Sequence, residues 1–469
     1  MARKQRQTIE LEIESIGLNG VSVARLDGLV YMVKGGLPGD RIIAEITRKK
    51  KNYKEARLKE VLEASNDRID PVCKHFGDCG GCKWQDLTYE KQLYWKERHI
   101  RDAFERIGKI EVGEYLPIIP SERVFNYRNK MEFSFGAARW LTKAEIDSEE
   151  EIKRDFALGL HAPGRFDRVL DIGECHIQNK QANQILTKIR AKALELGVKA
   201  YDSREQSGFL RNLIIRSNKD NEIMLILVTK AIRATEDEQF LEWFRTDFMK
   251  DMDFVVTHMH SINDKISPVA YGDPEIFSGN GILTETILDV EYNISPFSFF
   301  QTNSHTLDKF IGEIIESADL SHNELVWDLY CGTGSITLPA SKKCKEIIGI
   351  ELFEGSVADA KENSSKNAID NVTFYCEDLH KKEIPDMLRE LPQPDRIIID
   401  PPRAGMHKYL VDHLLEVAAP HITYVSCNPT TQARDCEMLC EKYTVESVRG
   451  VDMFPHTFHI ESIAVLKLK

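Results

Sequence analysis

The sequence predicts an α/β chain of more than one folding unit. A doubly wound, Rossmann-like parallel sheet lies toward the C-terminal end, a small β-barrel at the N-terminal end, and an α+β region between them. Three observations carry this reading. At 469 residues the chain exceeds what one ordinary hydrophobic core organises. In "ELVWDLYCGTGSITLPAS", "EIIGIELFEGSVADAKENSSKN", "VTFYCEDL", "DRIIIDPPRAG" and "HITYVSCNP", apolar runs end in Gly, Asp, Pro or Cys and mostly alternate with helical segments. That alternation is how parallel sheets with crossover helices read. Residues 8–63 instead show short alternating runs punctuated by "GLNGVSVARLDG" and "GGLPGD", the texture of a small barrel of the oligonucleotide-binding type. The expected division is 1–65, 66–290 and 291–469.

The composition, 42% hydrophobic and 29% charged, is that of a globular protein. The start "MARKQRQTIELEIE" lacks the apolar core of a signal peptide, and no run of about 18 apolar residues occurs, so a cytoplasmic protein without a membrane span is expected. The formal net charge of -13 counts against a nucleic-acid partner, but residues 1–65 hold 13 Lys and Arg against 9 Asp and Glu. Phosphate contacts supply most non-specific nucleic-acid affinity, so the basic stretch "TRKKKNYKEARLK" (47–59) competes with the reading of a merely solvated face.

Ten cysteines in a chain without an export signal point to metal binding or catalysis more than to disulfides. Cys73, Cys79 and Cys82 fall together in "VCKHFGDCGGCKW", and Cys175 stands far along in "DIGECHIQN". Four thiolates suit zinc as well as an iron–sulfur cluster. "YEKQLYWKERHIRDAFERIG" (89–108) reads as an amphipathic helix, 118–290 as strand-rich, and "EIDSEEEIKRD" (145–155) as an acidic surface loop. No repeat of solenoid period is present.

"DLYCGTGS" (328–335) ends a buried strand with glycines that let backbone amides approach a ligand. Glu351, ending the next strand, can accept hydrogen bonds from two ribose hydroxyls, and Asp378 and Asp400 end the two after it. The D-x-x-x-G-x-G order fits S-adenosylmethionine better than a dinucleotide. Cys427 in "YVSCNP" ends a strand beside that crevice, where Asn428 and Pro429 stop the strand and aim the thiol inward. Cys331, Cys344, Cys376, Cys436 and Cys440 read as small buried hydrophobes.

A thiol beside a methyl donor suggests one chemistry. Carbon 5 of a pyrimidine is a poor nucleophile, but thiolate addition at carbon 6 makes an enolate that attacks the methyl sulfonium. The carbon 5 proton must then leave to a base, for which "FHIES" (458–462) offers Glu461 and His459. Glu461 is the better candidate, since flanking Ile460 and Ile463 imply burial, which raises carboxylate basicity.

With these motifs the chain resembles the RNA uracil-C5 methyltransferases that make 5-methyluridine. A leading TRAM barrel, the C-x5-C-x2-C cluster with Cys175, "SFFQTN", "DLYCGTG", "DPPR", "SCNP" and "HIES" stand in the family's order over nearly the whole length. The resemblance implies Cys427 as nucleophile and Glu461 as proton acceptor. It implies Gln301, Tyr330, Ser335, Glu351, Asp378 and Asp400 around cofactor and target base, and Cys73, Cys79, Cys82 and Cys175 around a [4Fe-4S] cluster. Ser335 stands where many members have Asn, and Asp378 where some do. The barrel with four cysteines is similar to the ribosomal-RNA branch, which implies a monomeric enzyme acting on 23S rRNA, with tRNA as the alternative. Two rivals read the residues differently. "DPPR" could be the motif of amine methyltransferases, but Arg403 stands where they stack an aromatic on the base. A catalytically inactive RNA-binding scaffold would not need Cys427 and Glu461 together.

Overall fold

The alternating apolar positions of the N-terminal stretch become the inner face of a six-stranded sheet. In the computed structural model, which describes residues 7–148, 151–266 and 272–469, its strands are Thr8–Glu12, Ser15–Ile16, Ser22–Leu26, Leu29–Lys34, Arg41–Lys49 and Tyr53–Glu63. They lie side by side in the order first, fifth, sixth, fourth, third, second. Leu11, Ala24, Val33, Ile42, Ala44 and Ala56 build a small core of their own. The basic run forms the tip between the last two strands, with Lys49, Lys50 and Lys51 exposed. Lys54 does something else: its ammonium lies 5.1 Å from the centre of the Tyr31 ring.

A buried carboxylate fastens this sheet to the cysteine-bearing segment. Asp40 accepts from the Leu37 amide at 2.6 Å and the Ser65 amide at 2.8 Å and pairs with Arg68, which also reaches Asp86 at 2.7 Å. That segment carries the three clustered cysteines on turns without regular structure, then the helix Tyr89–Asp102 and a π-helical turn, Ala103–Gly108.

The central sheet has eight strands, in the order Glu275–Ser278, Val255–Ile262, Ile223–Thr229, Leu210–Ser217, Lys130–Gly136, Ala157–His161, Val169–Asp171, Arg139–Trp140. The near-continuous apolar runs "LIIRS" and "IMLILVT" are its buried middle, covered by the helices Lys180–Leu196 and Thr235–Thr246. Part of the expected acidic loop is helical: Lys143–Asp147, capped by Thr142 and Glu145. Residues 149 and 150 lie outside the described residues.

The C-terminal sheet places Val372–Cys376, Glu346–Glu351, Leu325–Leu329, Arg396–Ile399 and His421–Ser426 side by side and parallel. Glu461–Leu468 then runs antiparallel beside His421–Ser426, and Tyr443–Val451 lies next to it. The doubly wound expectation therefore holds for the parallel half, while the far side is mixed. Beyond it, Val112–Ile119 pairs parallel with Tyr443–Val451 and forms the sheet edge. The expected division puts that strand in the central region; Val112, Tyr115 and Ile118 instead pack onto the C-terminal core. The stretch 66–290 is thus shared between two sheets. Among the described residues no helix is long and apolar enough to cross a membrane.

Candidate active site and cofactor crevice

The crevice opens where the parallel strands end. Leu325–Leu329 runs into a turn in which Tyr330, Gly332 and Gly334 all take left-handed conformations, at φ of 67°, 56° and 81°. A Cβ on Gly332 would meet no atom within 4 Å, so its face is open to a ligand. Glu351 closes the next strand. Its carboxylate accepts from the Gly332 amide at 3.1 Å and the Phe353 amide at 2.9 Å, which fixes it at the rim of the turn. Asp378 accepts from the His380 amide at 2.9 Å after the neighbouring strand. Ser335 and Gln301 are half-buried, and among the described residues their side chains take no hydrogen bond. The Tyr330 hydroxyl is buried without a partner.

Beneath the turn lies Asp328, fully buried, with the Thr337 hydroxyl donating to it at 2.5 Å and one oxygen unpartnered. Burial pushes its carboxyl up to about 7, with Asp400 and Glu351 adding negative charge nearby. Burial likewise pushes Asp400, after Arg396–Ile399, up to about 7. The loop leading to Gln301 is clamped from the central sheet. Arg216, buried, donates through Nη1 to the carbonyls of Ser295 at 3.0 Å, Pro296 at 3.2 Å and Ser298 at 2.8 Å.

Strand register brings the catalytic candidates together. Ser426 pairs with Ser462 across antiparallel neighbours, so Cys427, one residue on, stands opposite Glu461. Asn428 caps the helix Pro429–Leu439 by accepting from the Thr430 amide, and its amide group donates to the Arg403 carbonyl at 3.0 Å. The "DPPR" and "SCNP" loops are thereby tied to each other. Burial pushes the Cys427 thiol up to about 12, with Glu461 and Asp400 adding to it and Arg403 opposing them. Burial also holds Glu461 well above the usual carboxylate range, with Asp400 contributing and Arg403 opposing. Arg403 is the cation that both groups feel.

His459, the other base candidate, also meets Arg403. Its Nδ1 lies 3.3 Å from Arg403 Nη2, and burial, then Arg403, pushes it down to about 4. Of the cysteines expected to be buried, Cys331, Cys344 and Cys436 are; Cys440 is half-buried and Cys376 is exposed, because its strand is the sheet edge.

Sequence reasoning missed what holds the Glu461 strand in place. Lys96, from the helix Tyr89–Asp102, is fully buried and donates to Asp452 at 2.6 Å and to the Phe454 carbonyl at 2.9 Å. The Tyr89 hydroxyl donates to the same carboxylate at 3.0 Å. Gln92 accepts from the His456 amide at 2.7 Å, and the Lys83 and Trp84 amides donate to the His456 carbonyl at 2.8 and 3.0 Å. Residues 452–459, just before Glu461, are thus bonded to the segment after Cys82.

Cys73, Cys79, Cys82 and Cys175 line one cavity of about 360 Å³, together with Arg128, Phe454, Thr457 and His459. The Gly81 amide donates to Cys79 Sγ at 3.4 Å and Gln85 to Cys82 Sγ at 3.6 Å. Burial pushes the thiols of Cys82 and Cys175 up to about 12 and about 11. Among the described residues no group of three or more His, Cys, Asp or Glu side chains is arranged to hold a metal ion. Four thiols on one cavity form a donor set that suits zinc as well as an iron–sulfur cluster.

The comparisons agree with the crevice. Residues 284–469 match the family model described as tRNA (Uracil-5-)-methyltransferase, and residues 2–59 match that of the TRAM domain. A protein of Bacteroides thetaiotaomicron named as an RNA methyltransferase is 39% identical over 96% of this chain and 99% of its own length. One of Chlorobaculum tepidum, also named as an RNA methyltransferase, is 40% identical over 93% of this chain and 91% of its own. The crystal structure of the Pyrococcus abyssi tRNA (uracil-54, C5)-methyltransferase with S-adenosyl-L-homocysteine superposes with a TM-score of 0.75 at 28% identity, covering 98% of this chain and 100% of that one. The turn beside Glu351 and the paired Cys427 and Glu461 thus belong to a known kind of enzyme: the chain is a member of the S-adenosylmethionine-dependent RNA (uracil-5-)-methyltransferase family and carries an N-terminal TRAM domain.

Proposed function

We propose that the enzyme methylates carbon 5 of a uridine in RNA through a covalent bond between Cys427 and carbon 6 of the base. The observation that carries this is the register that sets Cys427 opposite Glu461, with Asp400 and Arg403 beside both. S-adenosylmethionine supplies an electrophilic methyl group and a positive charge. Glu351 takes the ribose hydroxyls, the amides of 332–335 take the amino-acid end, and Gln301, Tyr330, Ser335, Asp378 and Asp400 line the remaining wall and the base pocket.

At neutral pH the thiol of Cys427 keeps its proton, held up by burial and two carboxyl neighbours. Asp400 and Glu461 would hold the cationic cofactor in their ionised forms, and Arg403 favours the thiolate. The thiol gives up its proton to solvent, the sulfur adds to carbon 6, the enolate takes the methyl group at carbon 5, and Glu461 accepts the carbon 5 proton as the carbon–sulfur bond breaks and the thiolate leaves. Glu461 is the stronger base of the two candidates, since burial and Arg403 push His459 down to about 4 while burial holds Glu461 up.

A [4Fe-4S] cluster held by Cys73, Cys79, Cys82 and Cys175 is part of this reading, supported by four thiols around one cavity with amide donors on two of the sulfurs. It would supply metal–thiolate bonds that pin the segment before the helix Tyr89–Asp102. The division of labour is then a barrel for RNA at 1–65, a four-cysteine region at 66–290 apart from the strand Val112–Ile119, and methyl transfer at 291–469. The same reading has the enzyme act as a monomer in the cytoplasm, where its RNA is.

For the RNA class two readings stand. The barrel with four cysteines favours 23S rRNA. The Pyrococcus abyssi neighbour, which shares the full length and acts on uracil-54 of tRNA, favours tRNA. Mass mapping of 5-methyluridine in rRNA and tRNA from cells with and without the gene decides. Loss of the modification from neither pool would overturn the proposed activity.

A further inference from the structure

Phe166 stands on the loop joining Ala157–His161 to Val169–Asp171, and at 71% exposure its ring is the most exposed large apolar side chain among the described residues. A lone exposed apolar residue is ordinary on a protein surface. This one has organised surroundings. Asp167, next to it, is 4% exposed and faces three guanidinium groups: Arg165 Nε at 3.1 Å, Arg168 Nε at 4.0 Å, and Arg204 in an ion pair. The Arg165 hydrogen bond, then that of Arg204, holds the Asp167 carboxyl below the usual carboxylate range against a desolvation effect that raises it. One carboxylate thus orients Arg165 and Arg204, with Arg168 at the edge of ion-pair distance, and the three arginines of this loop region exceed it by two charges, on a chain whose net charge is -13.

The loop itself is built. Arg165 donates its amide to the Ala162 carbonyl at 2.9 Å, and Ala162 to the Arg168 carbonyl at 3.0 Å. A Cβ on Gly80 of the cysteine segment would lie 3.3 Å from Pro163, so the loop rests on that segment. Leu160, on the same hairpin, lines the cysteine cavity together with His459. Six residues of extended chain put Phe166 at most roughly 20 Å from Leu160. It therefore lies within roughly 20 Å of the wall of that cavity, which His459 shares.

We propose that Phe166 is a stacking platform for an unpaired RNA base flanking the target, with Arg165, Arg168 and Arg204 on the adjoining phosphates. A bare π-face takes any base, and guanidinium groups held by Asp167 lose little freedom on binding phosphate. This rests on RNA being the substrate. The partner is single-stranded RNA, since bases in a duplex are already stacked.

The test uses the full chain, a fluorescein-labelled uridine-rich single-stranded RNA and anisotropy titrations over a salt series. Phe166→Ala should weaken binding about 5- to 150-fold, the worth of one stacked base, with the salt slope unchanged. Phe166→Trp should bind as the unaltered protein does. Arg165→Gln with Arg168→Gln should instead flatten the slope by about 0.7 for every phosphate no longer neutralised. Wild-type affinity in Phe166→Ala, or equal weakening in the Ala and Trp variants, would overturn the platform while leaving the RNA reading intact. Absence of RNA binding by the unaltered protein would overturn that reading itself. As a second measure, RNA carrying 4-thiouridine should crosslink on irradiation to the peptide containing Phe166; crosslinks confined to other peptides would contradict the proposal.

Discussion

Lys96→Met removes an ammonium that nothing exposes to water and leaves Asp452 buried with only the Tyr89 hydroxyl and the Phe454 amide as donors. Breaking one side of such a pair costs about 3–5 kcal/mol, because the surviving charge is stranded in a medium that solvates it poorly. For a unit of 150–250 residues each kcal/mol moves the melting midpoint by about 2–4 °C, so a fall of roughly 6–20 °C is expected. The loss should not be purely structural. The pair ties residues 452–454 to the helix Tyr89–Asp102, and Glu461 comes shortly after on the same segment. At a temperature where Lys96→Met is folded, methyl transfer should drop while S-adenosylmethionine binding, measured by calorimetry, stays within about twofold. Lys96→Met with Asp452→Leu should recover part of the midpoint, since removing both charges removes the stranded one. A midpoint shift below about 2 °C, or a double variant no better than the sum of the singles, would refute the claim that this pair holds the base in place.

Three further outcomes are expected of the barrel, the cysteine cavity and the crevice. Replacing exposed Lys49, Lys50 and Lys51 with Ala should lower the salt slope of RNA binding by up to about 0.7 for each phosphate no longer neutralised, while turnover on saturating RNA survives; an unchanged slope would return the run to a solvated face. Lys54 is left intact because its replacement would also remove the ammonium over the Tyr31 ring. Protein purified without air should contain iron and sulfide and absorb near about 400 nm, and Cys175→Ser should lose both; stoichiometric zinc without sulfide would contradict the cluster. Because burial pushes both Asp400 and Asp328 up to about 7, S-adenosylmethionine should bind more tightly as pH rises through about 7, and Asp400→Asn should reduce that dependence; an affinity unchanged across pH 6–8 by calorimetry would contradict the ionised crevice.

The parallel sheet was legible because its strands run out at punctuating residues: the glycine turn, Glu351, Asp378, Asp400, Cys427. The pairing of Cys427 with Glu461 was legible as chemistry, and the strand register supplies its geometry. What stayed hidden depends on partners far apart in the chain. Val112–Ile119 contains Gly113 and Pro117 and reads as a weak strand; it forms because Tyr443–Val451 offers it an edge and a core. Gln92, Lys96 and His99 are polar residues of the helix read as amphipathic, yet all three are buried, since residues 452–459 and the Ile16 carbonyl meet their polar atoms. Arg216 sits in an apolar run that marks a core strand, and nothing local reveals that its guanidinium collects three carbonyls of the loop before Gln301. In the sequence Arg403 stands out only as the residue that spoils a rival motif; its role as the cation shared by Cys427 and Glu461 needs the fold.

The central claim is that Cys427 bonds to the base and Glu461 releases it. Glu461→Gln tests it most directly. With the proton acceptor gone, the sulfur can still add at carbon 6 and carbon 5 can still take the methyl group, but the carbon 5 proton cannot leave and the carbon–sulfur bond cannot break. Incubated with S-adenosylmethionine carrying a radioactive methyl group and RNA containing the target uridine, this variant should give a labelled protein–RNA band that survives denaturing electrophoresis. The band should collapse on nuclease treatment to a labelled nucleotide on the Cys427 peptide, and should be absent when Cys427→Ala is added. Full turnover by Glu461→Gln, or a Cys427→Ala enzyme that still makes 5-methyluridine, would contradict the covalent account.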